Sequence, residues 1–310
     1  MSEALLPIAE KSRRARRSIL PGFGLTMGYT SLYVSLLVVI PLAGLFFKSA
    51  TLPFSAIWAA ATDAELAASL KITFGLSLVA GLINAVFGFI VAWTMVRYSF
   101  PGRKILDAVI DLPFALPTAV SGITLATLYS NQGVNRGWMG PPWAWVARHA
   151  NSVLAAMHLP EFLPEQIAYT RLGMLIALVF IGLPFMVRTL EPALEDMDPE
   201  VEEAAASLGA SRAQAFWRVV LPSLMPAVLT GFSLSFARAI GEYGSVIFIS
   251  TNEPYVSEIT AHLIMKKLEN HQEANATVVG VVMLVISFAL LLLINGLQWW
   301  AGRRSRQGVL

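Results

Sequence analysis

The chain contains no cysteine, and that absence removes disulfides, thiolate metal sites and thiol nucleophiles from consideration. Charge is scarce as well. Asp, Glu, Lys and Arg make up 14% of the residues against 56% apolar ones, and the mean hydropathy of +0.63 is too high for an ordinary water-soluble domain. No phosphate-binding G-x4-G-K loop followed by Ser or Thr occurs, so nucleotide is not held by that device. No stretch alternates with the period of a strand, and neither a usable internal repeat nor a low-complexity tract breaks the chain. The histidines at 149, 158, 262 and 271 show no metal-ligand spacing with acids, and no nucleophile stands beside a base. The net charge of +2 sits mostly on the flanks of apolar runs and gives no argument for nucleic acid.

What is present is apolar length. Runs of about 20 apolar residues, enough to cross a hydrocarbon core of ~30 Å, fall at 25–47, 72–96, 105–129, 172–190, 219–249 and 276–300. The fifth is long and carries Pro222 and Pro226 near its start, so part of it is expected outside the bilayer. A helical bundle satisfies the backbone of such spans in lipid, so the fold class is all-α transmembrane with six helices. Lys and Arg number 22, of which fourteen lie on one set of flanks, seven on the opposite loops, and Arg238 inside a span. This bias places both termini and the loop at 191–218 in the cytoplasm.

Residues 1–24 read as a basic cytoplasmic arm. The apolar run after it is too long for the core of a cleavable signal, so 25–47 is expected as a retained first helix. Residues 48–300 read as one core, and 301–310 as a cytoplasmic tail. Within the core, the external segment 130–170 is anchored at the membrane surface by Trp138, Trp143 and Trp145. A second external segment, 250–275, holds Glu253, Glu258, Lys266, Lys267 and Glu269 as a connector or short helix.

The loop at 191–222 has the clearest local design. Asp198-Pro199-Glu200 is a helix start with a side-chain cap, proline in the first turn and a carboxylate at the positive end. Gly209 supplies the left-handed residue that ends this helix, and Ser211-x-x-Gln214 is a capping box for a second. An ordinary capped loop and a DNA-binding helix-turn-helix are the competing readings of such a pair. The second helix carries only Arg212 and Arg218 and is pinned between two spans, which disfavours DNA.

The full spacing decides between them: Glu203-Ala204-Ala205, three residues, Gly209, nine residues, Val219-Val220-Leu221-Pro222. It resembles the EAA signature of bacterial ABC-importer permeases. The resemblance implies a MetI-like six-helix permease bundle with cytoplasmic coupling helices, docked on a separate ATPase. Glu202, Glu203, Ala204, Ala205, Gly209, Leu221 and Pro222 would form the coupling surface. ATP and Mg would be held by that partner, with no cofactor on this chain.

Three further stretches narrow the resemblance: Leu116-Pro117-Thr118-Ala119-Val120-Ser121-Gly122, the run from Leu183 to Glu200, and Ala237-Arg238-Ala239-Ile240-Gly241-Glu242-Tyr243-Gly244 with its continuation to Ile249. With Pro21-Gly22-Phe23-Gly24, they are similar to the CysT-type permeases of sulfate and thiosulfate importers. That family implies a second, CysW-like permease, a dimeric ATPase subunit, a periplasmic sulfate-binding protein and the bacterial inner membrane, with membrane lipid around the spans. Molybdate or tungstate import keeps the same mechanism with another cargo. An ion-gradient secondary transporter would not need the docking helices and usually shows inverted repeats.

Arg238 and Glu242 are the strongly charged pair deep in a span, which makes them candidates for an anion path or gate. Their i, i+4 spacing equally suits an ion pair that only positions the helix. Thr118, Ser121 and Thr124 lie beside Pro113 and Pro117, where a broken helix exposes backbone N–H groups. Ordinary Ser/Thr helix packing is the alternative there. Asp107 and Asp111 read as interfacial.

Overall fold

The computed structural model of the protein describes residues 22–131, 137–157 and 163–307, and every regular element among them is helical. The chain divides into two units, Met1–Thr51 and Leu52–Leu310. Most of the expected basic arm, Arg136 and His158 lie outside the described residues.

The first unit holds one apolar helix, Phe23–Ala50, in which α1 (Phe23–Val34) and α2 (Ile40–Ala50) are joined by a π turn at Ser35–Val39. Pro41 explains the turn. It offers no N–H, and its ring crowds the carbonyl four residues back, at Leu37. The wider turn relieves this: the Ile40 N–H bonds the Ser35 carbonyl instead. The apolar side chains of this helix stand exposed, as those of a lipid-facing span do.

The second unit begins with α3 (Phe54–Ala61) and α4 (Ala64–Arg97), the latter capped by Asp63, which accepts the Glu65 N–H. Next come α5 (Arg103–Ala115), α6 (Thr118–Tyr129), α7 (Gly140–Ala156) and α8 (Arg171–Glu195). They are followed by α9 (Pro199–Ser207), α10 (Arg212–Ala215), a π turn at Phe216–Val220 and α11 (Leu221–Ile240). The chain closes with α12 (Gly244–Ile249), α13 (Thr260–Glu269) and α14 (Glu273–Gln307).

Helices α4, α8 and α11 pack on one another at the centre. In lipid there is no water to expel between helices, so close approach and interhelical hydrogen bonds must hold them. Gly88 on α4 and Gly231 on α11 both face Met186 of α8, and an added Cβ would lie 2.7 and 2.6 Å from its side chain. Asn84 Nδ2 donates to Ser235 Oγ at 2.9 Å, passing Gly182 of α8, where a Cβ would sit 2.5 Å from that nitrogen. Gln298 ties α14 to α11 through the Leu229 carbonyl at 3.1 Å and Ser233 Oγ at 2.8 Å.

Two expected spans change shape. The third, expected as continuous over 105–129, is broken: α5 and α6 meet at 116°. Pro117 cannot donate, and it forces Leu116 into extended backbone, φ −90° and ψ 135°. The fifth, expected to reach 249, ends at Ile240, and α12 is a separate short helix. The fourth runs past 190 to Glu195, so the loop expected at 191–218 begins inside a helix. The external segments are not bare loops: α7 lies within 130–170 and α13 within 250–275. Trp138 and Trp145 on the first are exposed, while Trp143 Nε1 donates to the Pro164 carbonyl at 2.9 Å.

Candidate functional site

The loop between α8 and α11 is a tight pair of helices whose termini are all satisfied. Asp198 accepts the Glu200 N–H at 2.9 Å and caps α9, a bond worth ~1 kcal/mol. Gly209, at φ +82°, closes it: Gly209 N–H bonds the Ala206 carbonyl at 2.9 Å and Ala210 N–H the Ala205 carbonyl at 3.0 Å. These paired bonds are the Schellman arrangement. Ser211 Oγ then accepts the Gln214 N–H, while Gln214 Oε1 accepts the Ser211 N–H at 2.8 Å.

From Arg212 the chain runs without a break to Ile240. The π turn at Phe216–Val220 sits just before Pro222, as its counterpart does before Pro41, and Leu221 N–H reaches back to the Phe216 carbonyl. The second helix of the pair is therefore the first turn of a membrane span. Any force on the pair is delivered along α11, and through Glu195 to α8.

The seven residues expected to couple divide into two groups. Glu203, Ala204, Gly209 and Pro222 are exposed and Leu221 is half-buried. Beside them, Leu208 (89% exposed) and Trp217 (65%) present apolar surface, and Leu208 lines a cavity of about 560 Å³ with Val201, Ala204, Gly209 and Arg218. Ala205 is buried, and Glu202 turns to the bundle, where it pairs with Arg97 at the end of α4. The Arg97 guanidinium also lies 5.2 Å from the ring centre of Trp93, and Trp93 and Phe89 meet Phe216 edge-on at 5.9 and 5.8 Å. Glu202 thus fastens α9 to the bundle.

The anion-path candidates come from two distant stretches, and the fold brings Thr118 of the first against the α11–α12 junction held by the second. Arg238 Nη1 lies 2.6 Å from Glu242 Oε2. The other carboxylate oxygen of Glu242 accepts both the N–H and the hydroxyl of Ser245, at 2.8 and 2.9 Å. Buried Glu242 therefore ends α11 and starts α12, which is why the fifth span stops where it does. The first turn of α12 lies directly on α6. A Cβ on Gly244 would sit 2.2 Å from Thr118 Oγ1, and one on Gly122 would sit 2.4 Å from the Ser245 carbonyl oxygen. Thr118 belongs to this contact. Ser121 is buried with its hydroxyl 3.4 Å from the Pro117 carbonyl, whereas Thr124 is exposed.

Sequence reasoning missed one cluster. Arg188 of α8 grips Asp111 with two nitrogens at 2.9 and 2.6 Å, Asp107 at 2.8 Å and Glu191 at 2.7 Å. Read as interfacial, Asp107 and Asp111 are in fact the link between α5 and α8; their i, i+4 spacing was the available signal. At the other end of the bundle, Lys266 bonds Glu65 and fully buried Glu258, and Lys267 reaches Asp63 at 3.4 Å. Burial works against the Lys266 charge, but the bonds to Glu65 and Glu258 outweigh it and raise its pKa above the usual lysine value. Among the described residues no group of three or more His, Asp or Glu could hold a metal ion.

Up to six helices or helix pairs are long and apolar enough to cross a membrane, and a capped helix pair is built into two of them, which defines a multi-pass membrane protein. The family model for binding-protein-dependent transport system inner membrane components matches residues 84–307, and the chain belongs to that family. It is 48% identical to the sulfate transport system permease protein CysT of Synechococcus elongatus, over 89% of this chain and 91% of the relative. Against the protein of that name from Escherichia coli it is 41% identical, over 93% and 96%. Its fold matches that of a bacterial ABC transporter involved in the import of the acidic polysaccharide alginate, with a TM-score of 0.66 and 17% identity over 89% of this chain and 94% of that one.

Proposed function

We propose that this chain is the membrane permease subunit of an ATP-driven importer carrying sulfate or thiosulfate across the bacterial inner membrane. The observation that carries the reading is its 41–48% identity to CysT permeases along nearly its whole length. The coupling pair supports it, because an ATPase is what such an exposed, rigidly capped surface would serve. The ATP chemistry resides on that separate subunit. A CysW-like second permease completes the channel, a periplasmic binding protein delivers the anion, and both termini face the cytoplasm.

The working cycle follows from how the elements are joined. ATP closes the ATPase pair and draws the docked α9–α10 units together. The motion enters α11 through the continuous helix at Arg212–Ile240, and enters α4 through Arg97 and Glu202. Arg188 carries the displacement of α8 to α5, and so to the break at Leu116–Pro117. The path between the two permeases then opens outward to accept the anion and inward after hydrolysis.

Arg238 is neutralised by Glu242 and offers the anion little net attraction. Selection at the path therefore falls on neutral donors: the Thr118 hydroxyl and the N–H groups that open α6, which has no side-chain cap. Uptake of labelled sulfate and molybdate by cells with and without the gene tests the proposal. Loss and restoration of sulfate uptake alone is the expected result; loss of molybdate uptake alone would reassign the cargo.

A further inference from the structure

We infer that the bundle end remote from the coupling helices carries a binding site for one anionic phospholipid, formed by Lys71, Arg171, Tyr255 and a groove along α4. Lys71 lies in the second turn of α4, whose far end holds Arg97 and α9. Arg171 opens α8 and donates to the backbone carbonyls of Val256 and Tyr255. Those bonds fix the guanidinium without cancelling its charge.

Both side chains are exposed, and neither has a carboxylate within ion-pair reach among the described residues. Their neighbours Lys266 and Lys267 are both matched to acids. Two exposed, unmatched cations lining one cavity form a positive site open to an anionic group.

The groove says what that is. Below the two cations, Ile72, Gly75, Leu76 and Val79 line a cavity of about 460 Å³. Gly75 keeps it open, since nothing lies within 4 Å of where its Cβ would be. From Lys71 to Val79 the helix rises ~12 Å, most of the ~15 Å that one leaflet contributes to the hydrocarbon core. Tyr255, 58% exposed, sits at the mouth, the level where amphipathic rings lie in membranes. A free inorganic oxyanion would use the cations and leave the apolar wall empty. A phospholipid uses both, its phosphate between Lys71 and Arg171 and one acyl chain along α4.

The test is native mass spectrometry of the full chain in its assembled transporter, equilibrated with phosphatidylglycerol and phosphatidylethanolamine. Wild type is expected to retain phosphatidylglycerol preferentially. Lys71→Gln, which breaks no hydrogen bond or ion pair among the described residues, should lower that preference about fivefold. Gly75→Phe, filling the groove without touching charge, should lower retention of both lipids. Millimolar sulfate should leave the bound lipid in place. An unchanged preference in Lys71→Gln, unchanged retention in Gly75→Phe, or displacement by sulfate would each overturn the inference, the last in favour of a free-anion site.

Discussion

Gly122→Ala is the sharpest test of how α6 and α12 are joined. The new Cβ would lie 2.4 Å from the Ser245 carbonyl oxygen, 2.6 Å from its Cα and 2.9 Å from its carbonyl carbon. All three atoms are backbone, so no side chain can swing aside. Relief requires α6 and α12 to separate by up to ~1 Å, and such overpacking costs ~2 kcal/mol. That strain also pulls on the Ser245 N–H, which is held by Glu242 at 2.8 Å, so the junction of α11 and α12 loosens with it. The variant is expected to insert normally, to melt on the order of 5 °C below wild type in detergent, and to lose most sulfate uptake. Gly75→Ala is the matched control: it is the same substitution on a helix, meets nothing within 4 Å, and should be neutral or slightly stabilising. Wild-type uptake and melting in Gly122→Ala would show that the α6–α12 contact is neither tight nor functional.

Gly209→Ala should cost ~1 kcal/mol from the left-handed backbone alone, with Asn tolerated better. Gly209→Arg should abolish uptake while the protein remains in the membrane, and normal uptake there would remove the docking role of α9–α10. A double-mutant cycle on Arg97→Ala and Glu202→Ala, read by thermal unfolding, should give a coupling of ~1 kcal/mol; strict additivity would mean that the pair does not fasten α9. Arg238→Ala combined with Glu242→Gln removes both charges but keeps an acceptor for Ser245, so assembly should survive. Sulfate uptake is expected to be largely retained, because the pair is neutral as a unit; loss of uptake in a variant present in the membrane in normal amount would mean that selection does not rest on the neutral donors alone. Because the Lys266 pKa is raised, its stabilising contribution is complete below the ordinary lysine value near 10.5 and fades as pH rises through the higher folded value. Hydrogen exchange of α13 should therefore show no Lys266-dependent loosening between pH 7 and 9 (about the working range), tested against Lys266→Met.

The helical class and the capped α9–α10 pair were legible in the sequence because both are local. Apolar runs, an Asp cap, a left-handed glycine and a Ser-x-x-Gln box each act within a few residues, and Asp198, Gly209 and Ser211 hold the places that their chemistry dictates. Span ends were less legible. Hydropathy cannot register that Glu242 folds back to cap Ser245, and so it runs the fifth span through to 249. The bend at Leu116–Pro117 was half legible, since proline marks the break but not its angle. Arg188 was illegible in its role: counted among inward-facing charges, it spends that charge on partners 77 and 81 residues away in the chain.

The Arg188 cluster bears on how a displacement of α9 and α10 would spread through the bundle. A displacement at α9 and α10 could dissipate in a flexible loop, yet each exit from the pair is stiff. Toward α11 there is no loop at all, only a π turn inside a continuous helix. Toward α4 there is the half-buried Arg97–Glu202 pair with the Trp93 and Phe216 rings beside it. Toward α5 there is Arg188, anchored to its own helix by Glu191 and to the next by two aspartates. A monodentate lysine in its place would pivot about one contact, whereas the guanidinium fork fixes the angle between α5 and α8 as well as their distance. Beyond those aspartates the backbone can change direction at Pro113 and at the Leu116–Pro117 break, so a displacement of α5 would be felt at the entrance to α6.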